Sequence, residues 1–299
     1  MRKPLSFDDS QFRTFRSDMT PSESSSAYYG SIAFIGGGNM ARSLIGALVR
    51  HGVDAASIAV AEPNETSRAA LARDFGVTVH AQAKDAARGA ATIVLAVKPQ
   101  VMKAVCGEIA DAVAMARPLV VSIAAGIRLE QFARWLGANV PVVRAMPNTP
   151  ALIGAGASGL VANAVVTPEQ RERAANLLSA AGIAAWIDRE DLMDTVTALS
   201  GSGPAYFFLL VEALVDAAAA QGLPRDVARS LAAQTCLGAG RMLVEDGEAP
   251  ATLRERVTSP AGTTAAALDA FAAGDLRGLV AKAVAAATKR GGELSAQFD

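Results

Sequence analysis

The stretch "IAFIGGGNMARSLIGALVRHG", residues 32 to 52, decides the fold of this 299-residue chain. Four apolar residues typical of a strand lead directly into three glycines, and the pattern of an amphipathic helix follows. Gly36, Gly38 and Ala41 form G-x-G-x-x-A where the strand passes into the helix. There the first glycine permits a tight turn, the second lets the backbone approach a diphosphate, and the alanine keeps the helix close to the sheet. The stretch therefore predicts a Rossmann-type unit whose helix start holds a dinucleotide.

The pattern of apolar runs predicts two domains. Up to about Asp188, short and continuously apolar runs alternate with helical patterns, which is typical of parallel strands covered on both faces. These runs are IAFI, SIAVAE, VTV, ATIVLAVKP, LVVSIAA and VPVVRAMP, with two shorter ones, GLVAN and AAWID. Beyond them only alanine-rich helical patterns remain. We therefore expect an α/β protein with an N-terminal Rossmann-type doubly wound sheet, residues 30–187, followed by an all-α C-terminal domain, residues 188–299.

Composition narrows the class of protein. Residues 1–29 are polar and without pattern, which predicts a disordered extension, and they contain no apolar segment suited to a signal peptide. A net charge of −1 provides no broad basic field for nucleic acid. The two cysteines, Cys106 and Cys236, are far apart, so we expect reduced thiols and no metal. No unbroken apolar run approaches the roughly 18 residues of a membrane span, so we expect a soluble, cytoplasmic protein with no membrane partner.

Glu62 bears on the choice of cofactor. It ends the second predicted strand, where an acid commonly bonds the ribose 2′-hydroxyl and would repel a 2′-phosphate, which favours NADH. A solvated carboxylate at the strand end fits the sequence equally well, because Pro63 bends the chain there. Arg68 on the next helix could serve a phosphate instead. NADPH and NADH both stay open.

Few side chains are placed for proton chemistry. Enzymes that oxidise alcohols need a base near the hydroxyl, commonly histidine or lysine. His51 and His80 fall in the half that would hold adenosine, and Lys282 and Lys289 both fall in the last predicted helix. A reaction that needs little proton transfer from the protein fits this distribution better.

Two predicted loops in the second half carry small residues and hydroxyls. They are "LSGSGPAYFF", residues 199–208, and "RVTSPAGTTAAAL", residues 256–268. Each precedes a predicted helix, and a helix start of this kind suits a small carboxylate. Ordinary capping by serine or threonine would explain one such loop. It explains less well two loops that also carry glycines.

With these motifs the chain resembles the pyrroline-5-carboxylate reductase family. The similarity runs in order from Ser31 to about Leu294 through FIGGGNMA, AVKPQ, SIAAGI, RAMPNTP, LSGSGPAY and VTSPAGTT. The last two motifs are specific to the family, and the first is shared with many dehydrogenases. The resemblance implies an NAD(P)H-dependent oxidoreductase that adds hydride to the C=N carbon of 1-pyrroline-5-carboxylate, giving L-proline in the last step of proline biosynthesis. It also implies a homodimer with interleaved helical domains that assembles into a larger homo-oligomer.

The resemblance assigns site residues as well. Along the cofactor diphosphate it implies Ile35, Gly36, Gly37, Gly38, Asn39 and Met40. Along the ribose and nicotinamide it implies Ala96, Val97, Lys98, Pro99, Ala124, Ala125 and Gly126. For the carboxylate and ring of the substrate it implies Ser259, Gly262, Thr263 and Thr264, with Asn148 near the junction. Thr264 matches the hydroxyl that is proposed in the family to bond the imine nitrogen, as a proton donor or by orienting the ring.

The sequence departs from the family pattern at one position, and two alternative functions are considered beside the reductase. Ala261 stands where the family usually has glycine, and a positive φ there would cost about 1 kcal/mol or shift the loop. Many members of the family bind NADPH, whereas Glu62 favours NADH. A β-hydroxyacid dehydrogenase-like enzyme would need a lysine early in the helical domain, and none lies between Asp188 and Ala281. A non-catalytic NAD(P)-binding redox sensor would have no reason to keep hydroxyls at two helix starts.

Overall fold

The computed structural model describes residues 29–298. The predicted disordered extension therefore lies, apart from its last residue, outside the described residues. An eight-stranded sheet forms the first half of the described chain. Its strands are β1 (Ile32–Ile35), β2 (Ile58–Ala61), β3 (Thr78–His80), β4 (Thr92–Leu95), β5 (Leu119–Ser122), β6 (Val142–Met146), β7 (Gly156–Ala162) and β8 (Gly182–Trp186). The helices between them are α1 (Asn39–Arg50), α2 (Glu65–Phe75), α3 (Ala83–Ala87), α4 (Met102–Ala116), α5 (Leu129–Leu136) and α6 (Pro168–Ser179).

The order of the strands creates a crevice at one edge of the sheet. The order is β3-β2-β1-β4-β5-β6-β7-β8. Strands β1 to β6 are parallel, whereas β7 runs antiparallel to β6 and β8 runs parallel to β7. The chain builds outward on one side of β1 and then crosses to the other side at β4. In sheets of this kind ligands bind beyond the carboxyl ends of the strands at such a reversal.

The sheet is covered on both faces. Ile32 and Phe34 of β1 belong to an apolar cluster that includes residues of α1, α2 and α6. Ala33 and Ile35 belong to a second cluster, with residues of α3, α4 and α5. Alternate residues of one strand thus enter opposite cores, as a strand buried on both faces requires. The predicted doubly wound α/β sheet is confirmed.

From Glu190 onward the described elements are helical, and we call residues 190–298 the helical half. Its α-helices are α7 (Met193–Val196), α8 (Gly203–Ala220), α9 (Arg225–Glu245), α10 (Pro250–Arg256), α11 (Thr263–Ala273) and α12 (Leu276–Ser295). Helices α8 and α9 pack on each other, α12 packs against α7, and α11 packs on α12.

The prediction of a loop before α8 is wrong. Residues Thr197–Gly201 form a π-helical turn, so the chain stays helical from α7 into α8. Ser200 keeps its place in the helix because its Oγ donates to the carbonyl of Val196 at 3.0 Å. A Cβ on Gly201 would lie 2.9 Å from Cε of Met146 on β6, a contact that the flexible end of the methionine side chain could relieve. Turns of this type occur mostly as single turns inside longer helices, frequently at functional sites.

One helical stretch is long and apolar enough to cross a membrane. Residues Glu190–Ala220 have a best window with a mean hydropathy of 1.4, of which 11% is buried. Length and composition are the whole of this finding, and helices that pack against other proteins also meet it. The stretch includes α8, whose exposed apolar side chains are considered below.

A buried ion pair ties the helical half to the sheet. Arg144 on β6 is 5% exposed, and its guanidinium pairs with the carboxylate of Glu190. The same carboxylate accepts a hydrogen bond from the backbone N–H of Leu129 at 2.8 Å, at the start of α5. One side chain of the helical half therefore fixes two elements of the sheet half.

Glu190→Ala should lower the free energy of unfolding by about 3 kcal/mol, because it leaves the Arg144 guanidinium buried without its partner. Asp191→Ala is the matched control, since Asp191 pairs with Arg189 at the surface, where both side chains are more than half exposed. That control should leave the stability unchanged within error. Chemical denaturation of both variants measures the difference. Equal stability of the two variants would contradict a special role for the buried pair.

Candidate functional site

The turn after β1 can be built only with glycine at its first position. Gly36 has φ +103°, and a Cβ on it would lie 2.7 Å from the carbonyl oxygen of Ala96. Side chains rarely adopt that backbone conformation, and the backbone atom in the way cannot move without disturbing β4. The glycine therefore lets the chain after β1 and the chain after β4 touch at the crevice.

The third glycine faces open space. A Cβ on Gly38 would meet no atom within 4 Å, although Gly38 immediately precedes α1. Gly38 has no side chain with which to cap the helix, and α1 has no acidic residue in its first turn. Behind this opening Ala41 is buried in the core. The first N–H groups of α1 are thus left for an anionic group, and the dipole of the helix favours one there.

Glu62 lies across the glycine turn. Its Oε2 accepts a hydrogen bond from the N–H of Gly37 at 3.1 Å, and its Oε1 accepts one from the N–H of Asn64 at 3.0 Å. Arg68 holds the same turn from behind, because its Nη1 donates to the backbone carbonyls of Glu62 at 2.9 Å and Pro63 at 2.6 Å. The carboxylate is therefore fixed beside the place where adenosine ribose lies in this fold.

The other residues predicted for the cofactor lie at the ends of neighbouring strands. Residues 96–99 follow β4 and residues 124–126 follow β5, and both strands run parallel to β1. The N–H of Ala96 donates to the carbonyl of Ile35 at 2.8 Å, which joins the first of these loops to the glycine turn. The structure thus brings the glycine turn and both loops to one edge of the sheet. Gly126, with φ +81°, ends the second loop in a conformation that favours glycine.

Asn148 is committed to the protein itself. It is 8% exposed, its Nδ2 donates to the carbonyl of Ser200 at 2.9 Å, and its Oδ1 accepts from the N–H of Ala157 at 2.9 Å. It therefore connects the segment after β6 to β7 and to the π-helical turn. A cleft of about 350 Å³ adjoins this connection. Its lining includes Asn148, Ser200, Gly203, Phe207 and Phe208.

No local pattern in the sequence predicts the bond between Asn148 and Ser200. The two residues are far apart in the chain, and Ser200 contributes a backbone carbonyl, which any residue could supply. The local feature that could indicate this junction is the Ser-Gly pair inside an apolar helical run, from which the sequence analysis predicts a loop. The structure makes Ser200 a junction residue between the two halves.

The start of α11 is not capped by a side chain. Its cap position is Gly262, whose N–H donates to the carbonyl of Ser259 at 3.1 Å. Thr258, just ahead, directs its Oγ1 back to the carbonyl of Arg254 at 2.6 Å. Ordinary capping therefore does not account for the hydroxyls at this position. Ala261 has φ +56°, which is the positive φ that strains a residue with a side chain at this position of the loop.

The predicted site lies in two parts within one chain. Helix α11, which begins with Thr263 and Thr264, packs on α12. Among the described residues α11 has no packing of comparable extent with any element of the sheet half. The residues predicted for the cofactor share one sheet edge, and Asn148 lies at the junction of the halves. Of the residues predicted for the substrate, Thr263 and Thr264 begin α11, which packs on α12 within its own chain.

The two cysteines differ in burial, since Cys106 is buried and Cys236 is half-buried. Burial raises the pKa of the Cys106 thiol to about 12, so the thiol stays protonated and unreactive. Among residues 29–298 no group of three or more His, Cys, Asp and Glu side chains is arranged to hold a metal ion.

Two family descriptions match the two halves. Residues 190–294 match "Pyrroline-5-carboxylate reductase dimerisation". Residues 31–126 match "NADP oxidoreductase coenzyme F420-dependent".

Comparison with known proteins extends the similarity to most of the chain. A pyrroline-5-carboxylate reductase of Pseudomonas aeruginosa is 52% identical over 89% of this chain and 97% of its own length. The structure of a pyrroline-5-carboxylate reductase from Coxiella burnetii superposes with a TM-score of 0.87 at 41% identity, covering 89% of this chain and 98% of that one. A Plasmodium falciparum pyrroline carboxylate reductase with NADP bound has a TM-score of 0.76 at 27% identity, again over 89% and 98%. The chain belongs to the pyrroline-5-carboxylate reductase family.

Proposed function

We propose that the protein transfers hydride from NAD(P)H to the C=N carbon of 1-pyrroline-5-carboxylate, whose ring nitrogen takes up one proton, and so forms L-proline and NAD(P)⁺. The observation that carries this proposal is the pairing of an open glycine turn at the sheet edge with an uncapped, hydroxyl-bearing helix start at α11, in a member of this family. The first suits the diphosphate of a dinucleotide, and the second suits the carboxylate of a small imino acid. The reaction is the last step of proline biosynthesis.

The protein's task in this reaction is mainly to place two molecules. NAD(P)H supplies the hydride when it is bound. The N–H groups at the start of α1 hold its diphosphate, and the loops of residues 96–99 and 124–126 border its ribose and nicotinamide. The N–H groups at the start of α11 and the hydroxyls of Ser259 and Thr263 hold the substrate carboxylate. Thr264 directs its hydroxyl to the imine nitrogen, which orients the ring so that the reacting atoms come within about 3–3.5 Å.

The apolar surface of the helical half fits an interface between copies of this chain. On α8 only Gly203 and Val215 are buried, whereas Phe208 and Leu209 are 69% and 65% exposed. Apolar side chains exposed to this extent on a helix need a partner surface to cover them. The family match over residues 190–294 concerns dimerisation, so a second copy is the cover that we propose. This cover also accounts for the membrane-like composition of α8 in a soluble, cytoplasmic enzyme.

The same pairing would complete the active site. Helix α11, which begins with Thr263 and Thr264, has no extensive packing with the described sheet half of its own chain. A two-fold dimer through the helical halves offers each sheet edge the loop of the other copy. We therefore assign the cofactor residues of one site to one chain and Ser259, Gly262, Thr263 and Thr264 to its partner.

An assay of cofactor oxidation with 1-pyrroline-5-carboxylate, run with NADPH and NADH in parallel, tests the function. Turnover is expected with at least one of them. Tight cofactor binding without turnover with either would favour a non-catalytic sensor.

Glu62→Gln removes a charge but keeps an acceptor for the Gly37 N–H. It should raise the kcat/KM ratio of NADPH to NADH about tenfold, which corresponds to about 1.4 kcal/mol of lost repulsion.

The control for lost charge in that assay is Glu172→Gln on α6, where Glu172 is exposed. It should leave the ratio unchanged. If Glu62→Gln also leaves it unchanged, Glu62 has no part in the choice between the cofactors.

Two inactive variants test whether the site is shared. Thr264→Ala should lower kcat/KM for the substrate more than it weakens cofactor binding. Gly38→Val should block the diphosphate, while the open space around Gly38 leaves the fold intact. In a dimer that contains one chain of each kind, a shared site leaves one of its two sites free of both substitutions. Random pairing of equal amounts should therefore restore about a quarter of the wild-type activity.

Tagged variants expressed together and purified through both tags give the mixed dimer directly. Each variant expressed alone is the control for residual activity. A mixed dimer as inactive as its parents would show that cofactor and substrate residues of one site belong to the same chain.

Ala261→Gly should stabilise the protein by up to about 1 kcal/mol, because it relieves the positive φ in the substrate loop. The same substitution in a right-handed helix should act in the opposite direction. Ala114→Gly, at an exposed position of α4, should destabilise by about 1 kcal/mol. Thermal unfolding of the two variants beside the wild type measures both effects. A lower midpoint for Ala261→Gly would mean that the loop is not strained.

A further inference from the structure

The last described turn returns from the helical half to the sheet edge. It comprises Ala296–Phe298 and follows α12 directly. Phe298 packs against the same apolar cluster as Ala124 and Leu129. Its ring carbon Cε2 lies 3.4 Å from the position that a Cβ on Gly126 would occupy. The aromatic ring therefore lies against the loop of residues 124–126, which borders the nicotinamide in the proposed site.

A buried amide fixes the backbone of this turn. Gln131 on α5 is fully buried, and its Nε2 donates to the carbonyl of Phe298 at 2.5 Å. Its Oε1 accepts from the N–H of Arg128 at 2.6 Å, directly before α5 begins. One side chain thus joins the last turn to the end of the segment that connects β5 and α5. A buried amide bonded on both sides holds its partners in a defined position.

The turn itself is anchored in the helical half. Ser295, at the end of α12, is buried, and its Oγ donates to the carbonyl of Gly291 at 3.0 Å. Asp194 on α7 lies beside both residues, with its Oδ1 3.5 Å from the Ser295 Oγ. The position of Phe298 therefore follows from the packing of α12 against α7. Glu190 adds a second contact from the helical half to the same segment, through the N–H of Leu129.

We propose that Phe298, together with Gln131, is a positioning residue for hydride transfer. It supports the loop of residues 124–126 from behind, so that the nicotinamide meets a fixed surface. The proposal deepens the proposed function and rests on the assignment of that loop to the nicotinamide. Phe298 acts through the loop and is not assigned a contact with cofactor or substrate.

Three variants of the last turn test this role. Phe298→Ala removes the ring, Phe298→Leu keeps most of the apolar contact, and Gln297→Ala changes an exposed neighbour in the same turn. We expect Phe298→Ala to weaken cofactor binding about fivefold and to lower kcat, with the KM for 1-pyrroline-5-carboxylate unchanged. Phe298→Leu should restore most of the binding, and Gln297→Ala should behave as the wild type.

Two measurements separate positioning from general destabilisation. Hydrogen exchange of Phe298→Ala should rise in peptides that cover residues 123–131 and stay unchanged in β1 and β4. Titration of the cofactor without substrate gives its affinity independently of turnover, so a loss in Phe298→Ala supports the role even if the wild type fails to reduce the imino acid. Unchanged affinity together with unchanged exchange in residues 123–131 would overturn the proposal. A uniform rise in exchange with equal losses in Phe298→Leu would overturn it as well.

Discussion

The approach of Gly36 to the carbonyl of Ala96 is the constraint on which the site depends. It lets the chain turn sharply after β1 while the chain after β4 passes directly beside it. The two loops meet at the reversal of strand order, where the start of α1 is also exposed. A side chain at residue 36 would separate these loops. The cofactor crevice is thus a consequence of one close backbone contact, and the open face of Gly38 makes it accessible.

The features of the helical half indicate contact with a partner more than a core of its own. Helix α8 buries little of its apolar surface, and α11, which begins with Thr263 and Thr264, packs on α12 and has no contact of comparable extent with the described sheet half of its own chain. Neither feature makes sense in an isolated chain, because exposed aromatic side chains gain nothing in water. Both make sense in a pair of chains. In the proposed dimer, the association that covers α8 would also assemble the substrate site.

The sequence predicted the parts of the molecule that follow from local pattern. Strands buried on both faces, the glycine turn and the helix starts all leave a signal within a few residues, and the doubly wound sheet is confirmed. The π-helical turn was missed because Ser200 and Gly201 resemble loop residues. Gly201 lies beside the end of the Met146 side chain on β6, a distant residue that no local pattern indicates. The bonds of Asn148, Glu190 and Gln131 join distant segments, and no local pattern encodes them.

The contacts of α12 suggest why the two halves need more than a flexible connection. Helix α12 carries α11 on one side and leads into the turn of Phe298 at its end. In the proposed two-chain site it therefore supports the nicotinamide loop of its own chain and presents the substrate loop to the partner. Hydride transfer needs the two reacting atoms within about 3–3.5 Å of each other. The nicotinamide loop and the substrate loop must therefore be held by one rigid body. The helical halves of the proposed dimer would provide that body, and the pair of Arg144 and Glu190 joins each sheet to the helical half of its own chain.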